Sequence, residues 1–210
     1  MTGFFQQRPA TRHNRRCTAH GRFEEAKSGA VHEASRARHW IDFTVRLQLM
    51  AAYGSRKLKS LAASLQSLMH EQIPLTRVTG FGIRAATLHS MATAMPFTPL
   101  NRNDKGTAFA GSLSALANVT GWALLSLLTM HARGGRPTVA IYDSRTRFLR
   151  PIAADLQARA SIGVRAKIAM MEGLARTGHA KVRVTVNIAG GDSEHVAVCM
   201  DGHYFVRISR

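Results

Sequence analysis

The clearest signal in the chain is a change of hydrophobic period along it. Leu61, Leu65, Leu68 and Met69 recur at helical spacing and predict a short amphipathic helix. Ile73-Pro74 marks its end, because the residue before a proline avoids the helical region. Two strand-like stretches follow, at 81–88 and 91–97, and Pro96 and Pro99 then break regular pairing. Residues 108–130 carry no charge. That length raises the possibility of a membrane span. Ser112, Ser114, Asn118, Thr120, Ser126 and Thr129, with Gly111 and Gly121, argue against one, as does the lack of an aromatic belt or a second span. A helix apolar nearly all round in a globular protein is a core helix.

After the helix, four stretches read as strands. The first is 138–148. Residues 156–168 alternate as one long strand, with Leu156, Ala158, Ala160, Ile162, Val164, Ala166 and Ile168 on one face. Residues 179–188 alternate in the same way, and 196–200 with 204–208 form the last strand, with Gly202 as a bend or bulge. One apolar and one wet face predict an antiparallel sheet with a single buried side. Gly190-Gly191-Asp192 reads as the hairpin turn before the last strand. The predicted class is α+β, a long central helix wrapped by a curved antiparallel sheet.

Composition and charge refine this picture. The chain has 210 residues, 45% of them hydrophobic, which is enough for one packed domain. The net charge of +17 points to an anionic partner: nucleic acid, an anionic membrane, or a phosphate-bearing small molecule. That charge is divided. Residues 1–60 hold 12 basic and 4 acidic residues and the rest 17 and 8, so +8 belongs to the leader and +9 to the remainder. The leader reads as a basic, disordered or poorly packed extension, with an organellar transit peptide or a nucleic-acid-binding arm as alternatives. Met50 opens a more ordinary segment and is a candidate start of the natural protein. No signal-peptide run follows the basic start. Cys17 and Cys199 are too far apart in sequence for a paired motif, which is compatible with a reducing compartment and a cytoplasmic location. His131, His179, His195 and His203 have no ligand spacing, so no metal is expected.

The chemistry concentrates where a polar loop, 101–107, enters the apolar helix. The first turn of a helix offers unpaired N–H groups and partial positive charge, which can stabilise an oxyanion. Asn103 and Asp104 could orient a water or take its proton. A plainer reading stays open: Asp104 or Thr107 is an N-cap and Gly106 a turn residue.

Several runs in this region resemble a known family. They are Ile73-Pro74-Leu75-Thr76-Arg77, Gly80-Phe81, Asn103-Asp104-Lys105-Gly106-Thr107-Ala108-Phe109, Gly111-Ser112-Leu113, Gly121-Trp122 and Arg147-Phe148-Leu149-Arg150-Pro151. Over about residues 62–208 the chain resembles hotdog-fold thioesterases. It is most similar to the small thioesterase-like domain fused, in some bacteria, behind a GNAT-type acetyltransferase. Residues 1–60 are too short for that acetyltransferase and lack its Gly-rich acyl-CoA loop.

The wider phenylacetyl-CoA-type pattern is Asn-x-x-Gly-x-x-His-Gly-Gly with an Asp nine residues after the His. Asn103, Gly106 and Gly111 match it. Phe109 replaces the His, Ala110 the first Gly of the pair, and Asn118 the Asp. The resemblance implies a backbone N–H near Gly111 or Ser112 as oxyanion donor, and a substrate at the interface of a homodimer or dimer of dimers. It implies Asn103, Asp104, Gly111, Ser112 and Asn118 as the catalytic set, and Gly106, Thr107 and Phe109 against the substrate. No cofactor is implied beyond the coenzyme A of an acyl-CoA substrate; an acyl carrier thioester is the alternative substrate. Arg145, Arg147 and Arg150 are candidates for the coenzyme phosphates, with solvated sheet-face charge as the equal alternative. Met91, Met95, Met130, Met170 and Met171 either line an acyl tunnel or fill the core, and Trp122 reads as packing. Two rival functions remain. One is an acyl-thioester or lipid-binding module without catalysis, suggested by Phe109 and Asn118. The other is a nucleic-acid binder, suggested by charge but lacking aromatic residues interleaved with the basic stretches.

Overall fold

The computed structural model describes residues 56–208, and the expectations for the leader lie outside that range apart from residues 56–60, which are helical. Helix α1 (Arg56–Gln72) carries Leu65, Leu68 and Met69 on its buried face, as the period predicts. Pro74 does end it, and also occupies the first turn of a one-turn helix α2 (Pro74–Val78), where its missing N–H costs nothing. Strands β1 (Gly82–Ala86) and β2 (Ser90–Met95) form an antiparallel hairpin. A 3-10 turn (Pro99–Asn101) leads to the long helix α3 (Ala110–Arg133). Then come β3 (Pro137–Phe148), β4 (Leu156–Ser161), helix α4 (Val164–Thr177), β5 (His179–Gly190) and β6 (Val198–Ile208).

The six strands make one sheet in the order β1-β2-β4-β5-β6-β3, antiparallel at every pairing. The inward faces of β4, β5 and β6 (Leu156, Ala158, Ala160; Val182, Val184, Val186, Ile188; Val198, Met200, Tyr204, Val206) pack with α3 in one core. The architecture is therefore the α+β one expected, a long helix against a curved antiparallel sheet. At 24 residues α3 is about 36 Å long. It is long and apolar enough to cross a membrane, but 67% of its most apolar window is buried within the fold, as befits a core helix. Met91, Met95 and Met170 are core residues, so for these three the filling role holds.

Two predicted elements need correction. Residues 156–168 are not one strand. The alternation stops at Ile162, and Gly163 starts α4, whose buried side is Met170 and Leu174, with Gly178 in the left-handed conformation at its end. Val164 and Ile168, which continued the alternation on paper, are exposed (60% and 52%). Period-2 and helical patterns overlap in so short an apolar stretch, and the two glycines carried the decisive signal. The second correction is Gly202, which is neither bend nor bulge. It pairs in register with Ser144 on one side and Val184 on the other inside a continuous β6. A Cβ there would meet the Tyr204 ring at 2.7 Å, and one at Gly121 on α3 would collide with the Tyr204 hydroxyl. Both glycines make room for Tyr204, which is fully buried and donates to the backbone carbonyl of Asn118 at 3.0 Å. Helix and sheet are joined again where the Thr93 and Thr120 hydroxyls meet at 2.7 Å.

Candidate functional site

The loop before α3 builds itself around two asparagines. Asn101 is fully buried. Its side-chain oxygen accepts from Thr98 N–H (3.0 Å), its amide donates to the Pro96 carbonyl (2.6 Å), and its backbone carbonyl accepts from Phe109 N–H (2.8 Å). The Thr98 N–H bond to the Asn101 side chain is the reaching-back half of a capping box, with Pro99 in the first turn. The sequence reading missed Asn101, although Thr-Pro-x-Asn is a recognisable capping pattern.

Asn103 organises the exposed tip. Its oxygen accepts from the N–H groups of Lys105 and Thr107 (both 3.0 Å), and its amide donates to Thr107 Oγ1 (2.9 Å). Gly106 closes the turn at φ +74°, a conformation that favours glycine. Asn103, Gly106 and Thr107 thus hold the loop's shape. Asp104 projects into solvent and pairs with Lys105 at 3.1 Å, both side chains about four-fifths exposed. Neither Asp104 nor Thr107 is the N-cap: that position is Phe109, which has no capping side chain. The plainer capping reading is therefore corrected.

An uncapped start leaves the first-turn N–H groups of α3 without side-chain partners, and no acidic residue lies in that turn to neutralise its partial positive charge. Gly111 is exposed and Ser112 half-buried. The Phe109 ring, 53% exposed, covers Gly111, and a Cβ on Gly111 would collide with it. Glycine here lets the ring lie against the helix start. Asn118 stands about 10 Å further along α3, on the same stripe as Gly111, Ala115 and Trp122, the less buried side of the helix. Its side-chain oxygen is buried without a hydrogen-bond partner among the described residues.

The arginines divide. Ala108 N–H donates to the Ile152 carbonyl at 2.7 Å, which ties the loop to the segment after β3 and so to the exposed Arg150. Arg145 and Arg147 lie on β3 itself, on the outer sheet face opposite Asp201 and Cys199. Arg147 reaches Cys199 Sγ at 3.7 Å, and Arg183 on β5 pairs with Asp201 at 2.9 Å. That hydrogen-bonded pairing holds the Asp201 carboxyl below its ordinary range. The structure thus gathers Asn103, Asp104, Gly106, Thr107, Phe109, Gly111 and Ser112 at one end of α3 with Arg150 close in connection, and sets Arg145 and Arg147 on the sheet. Among the described residues no three His, Cys, Asp or Glu side chains cluster as a metal site would require.

Comparison with known proteins bears on the family and the fold. A family model described as "Putative thioesterase (yiiD_Cterm)" matches residues 62–208. Similar solved structures include a protein of unknown function from Chlorobaculum tepidum (18% identity, 72% of this chain and 96% of that one covered, TM-score 0.65). A putative thioesterase from Shewanella oneidensis follows (21%, 72% and 99%, 0.60). The PaaI protein of the phenylacetic acid degradation operon of E. coli is similar at 16%, 72% and 96%, with a TM-score of 0.54. At such identities these likenesses speak for the fold, which is the hotdog fold.

Proposed function

The chain belongs to the family of that matching model, and on this premise we propose that it hydrolyses acyl thioesters, with acyl-CoA as the substrate class. The observation that carries the reading is the uncapped, acid-free start of α3 at an exposed loop. Backbone N–H groups at Gly111 and Ser112 are suited to the oxyanion that forms when water adds to the thioester carbonyl. Asp104, on the loop that leads into that helix, is the carboxylate this reading assigns to take the proton of the attacking water. The tetrahedral intermediate then collapses, the C–S bond breaks, and the thiolate leaves and is protonated. Asn103 acts by fixing the loop that carries Asp104. Arg150, with Arg145 and Arg147 further out, supplies positive charge for the phosphates of coenzyme A.

The working unit is a homodimer. Strand β3 offers a 12-residue free edge among the described residues, and so long an edge invites pairing with another chain. Leu100, Phe109, Phe148 and Leu149, all about half or more exposed, flank the same end of the fold and suit a covering partner. Pairing of this kind brings a second subunit's Asn118 or Ser112 toward the site. A cytoplasmic location suits an acyl-CoA substrate.

Phe109 and Asn118 favour a second reading, binding without hydrolysis, because α3 carries no Asp or Glu. Thiol release by the parent protein separates the two, and an Asp104→Asn variant then tests the base. Hydrolysis with Asp104 as base predicts a loss of about 10²–10⁴-fold in thiol release with acyl-CoA binding retained. An unchanged rate in a normally folded variant removes Asp104 from the mechanism.

A further inference from the structure

The outer face of the sheet, away from α3, brings together side chains scattered along the sequence. Strands β3, β6 and β5 lie side by side. Ile141 pairs with Tyr204 and Asp143 with His203, so Tyr142 is the extra residue of a bulge in β3. A bulge re-aims a side chain. The Tyr142 side chain is 52% exposed. It meets the His203 ring of β6 in a T-shaped contact, 6.1 Å between centroids, and the Lys181 ammonium of β5 stands 5.2 Å from its own centroid. Two residues along β6, Phe205 packs against His179 of β5 at 5.8 Å. Cations surround these rings: Lys181, Arg183, Arg145, Arg147 and Arg207 are exposed, and the pairing register puts them on this same face. Only two carboxylates share it, Asp143 and Asp201, and Asp201 is already paired with Arg183 at 2.9 Å. A face of this sign repels a second copy of itself, so its partner is an anion. Apart from Tyr142, the large exposed apolar side chains of the described residues lie elsewhere, so little here would enter a lipid surface. Aromatic rings among cations on an open sheet suit an anion that also carries flat bases, and bases are free to stack on such rings only when unpaired.

We propose that this outer face binds single-stranded nucleic acid, with Tyr142 as the platform on which a base stacks and Lys181 and Arg207 holding phosphates. Along the chain the basic stretches lack interleaved aromatic residues; the sheet supplies the interleaving, because Tyr142, Phe205 and His179 come from three strands. The proposal does not rest on thioester hydrolysis. Arg145 and Arg147 border both sites, so the test leaves them unchanged.

The full-length protein is titrated, by fluorescence anisotropy at about 0.1 M salt, with labelled dodecamers: oligo-U, oligo-dT, an abasic deoxyribose-phosphate chain and a DNA duplex. Both base-bearing single strands are expected to bind tighter than the abasic chain and the duplex, and their ratio tells RNA from DNA. Tyr142→Ala weakens the base-bearing single strands about tenfold and leaves the abasic chain unchanged, while Tyr142→Phe keeps the parent affinity. The double variant Lys181→Gln/Arg207→Gln weakens every probe and lowers the slope of log affinity against log salt by about 1.4, two phosphate contacts' worth for a single strand. Circular dichroism verifies the fold of each variant. Equal affinity for oligo-dT and the abasic chain, a preference for duplex, or no binding overturns the proposal. So does affinity that these variants leave unchanged, which would place the binding elsewhere on the chain, and so does Tyr142-dependent binding to phosphatidylserine vesicles in preference to oligo-U. Thiol release measured in parallel reports on the helix-start site alone, so loss of either reading leaves the other standing.

Discussion

Tyr204 shows how much one side chain can fix in this fold. Its ring occupies space left by Gly121 on the helix and Gly202 on the sheet, and its hydroxyl satisfies the Asn118 carbonyl. Burial pushes its phenol pKa well above the ordinary value, so it stays a neutral donor. Gly202→Ala is expected to cost about 1–3 kcal/mol by overpacking, read as a lower midpoint in denaturant unfolding. Tyr204→Phe should cost about 1 kcal/mol, the net worth of one hydrogen bond. Ser126 predicts the opposite sign. Ser126→Ala removes an unpartnered buried hydroxyl and should stabilise the protein by about 1 kcal/mol or more. In the sequence, Gly202 was visible only as a glycine in a strand pattern. That pattern fits a bulge as well as a close approach, and the approaching ring is set by tertiary packing.

At the scale of elements, the sheet explains both a pH dependence and an oligomeric expectation. Asp201 on β6 is held below the ordinary carboxylate range by its bond from Arg183, helped by the Thr185 hydroxyl. A depressed carboxyl contributes stability that is present above its unfolded pKa, near the ordinary value, and is lost as pH falls through the folded one. Asp201→Asn should therefore narrow the stability gap between pH 7 and pH 3, by at most about 1 kcal/mol for so exposed a pair. Equal pH profiles for parent and variant would contradict this. The free β3 edge predicts a dimer of about 46 kDa, twice the 23.0 kDa chain, in sedimentation equilibrium. A monomer at micromolar concentration would contradict the proposed working unit. Most elements were legible because α3 is a long uncharged apolar run and β5 a long, unmixed alternation. Helix α4 was not, because Val164, Ala166 and Ile168 extend the alternation of β4 past the glycine that ends it.

For the whole molecule, the charge of +17 first suggested nucleic acid. The domain is now assigned to a thioesterase family, and its share of that charge lies partly on the outer sheet face, in Arg145, Arg147 and the Asp201-paired Arg183. The candidate site was legible as a region and not as a set of roles. The run 103–112 stood out, but the division between loop scaffold (Asn101, Asn103, Thr107) and exposed chemistry (Asp104, Gly111) appears only once the hydrogen bonds are traced. The most direct test of the central claim is thiol release from a panel of acyl-CoAs of increasing chain length by the purified full-length protein. The account predicts multiple-turnover release of coenzyme A from at least one member. Saturable acyl-CoA binding with no thiol released across the panel would contradict it and establish the chain as a binding module.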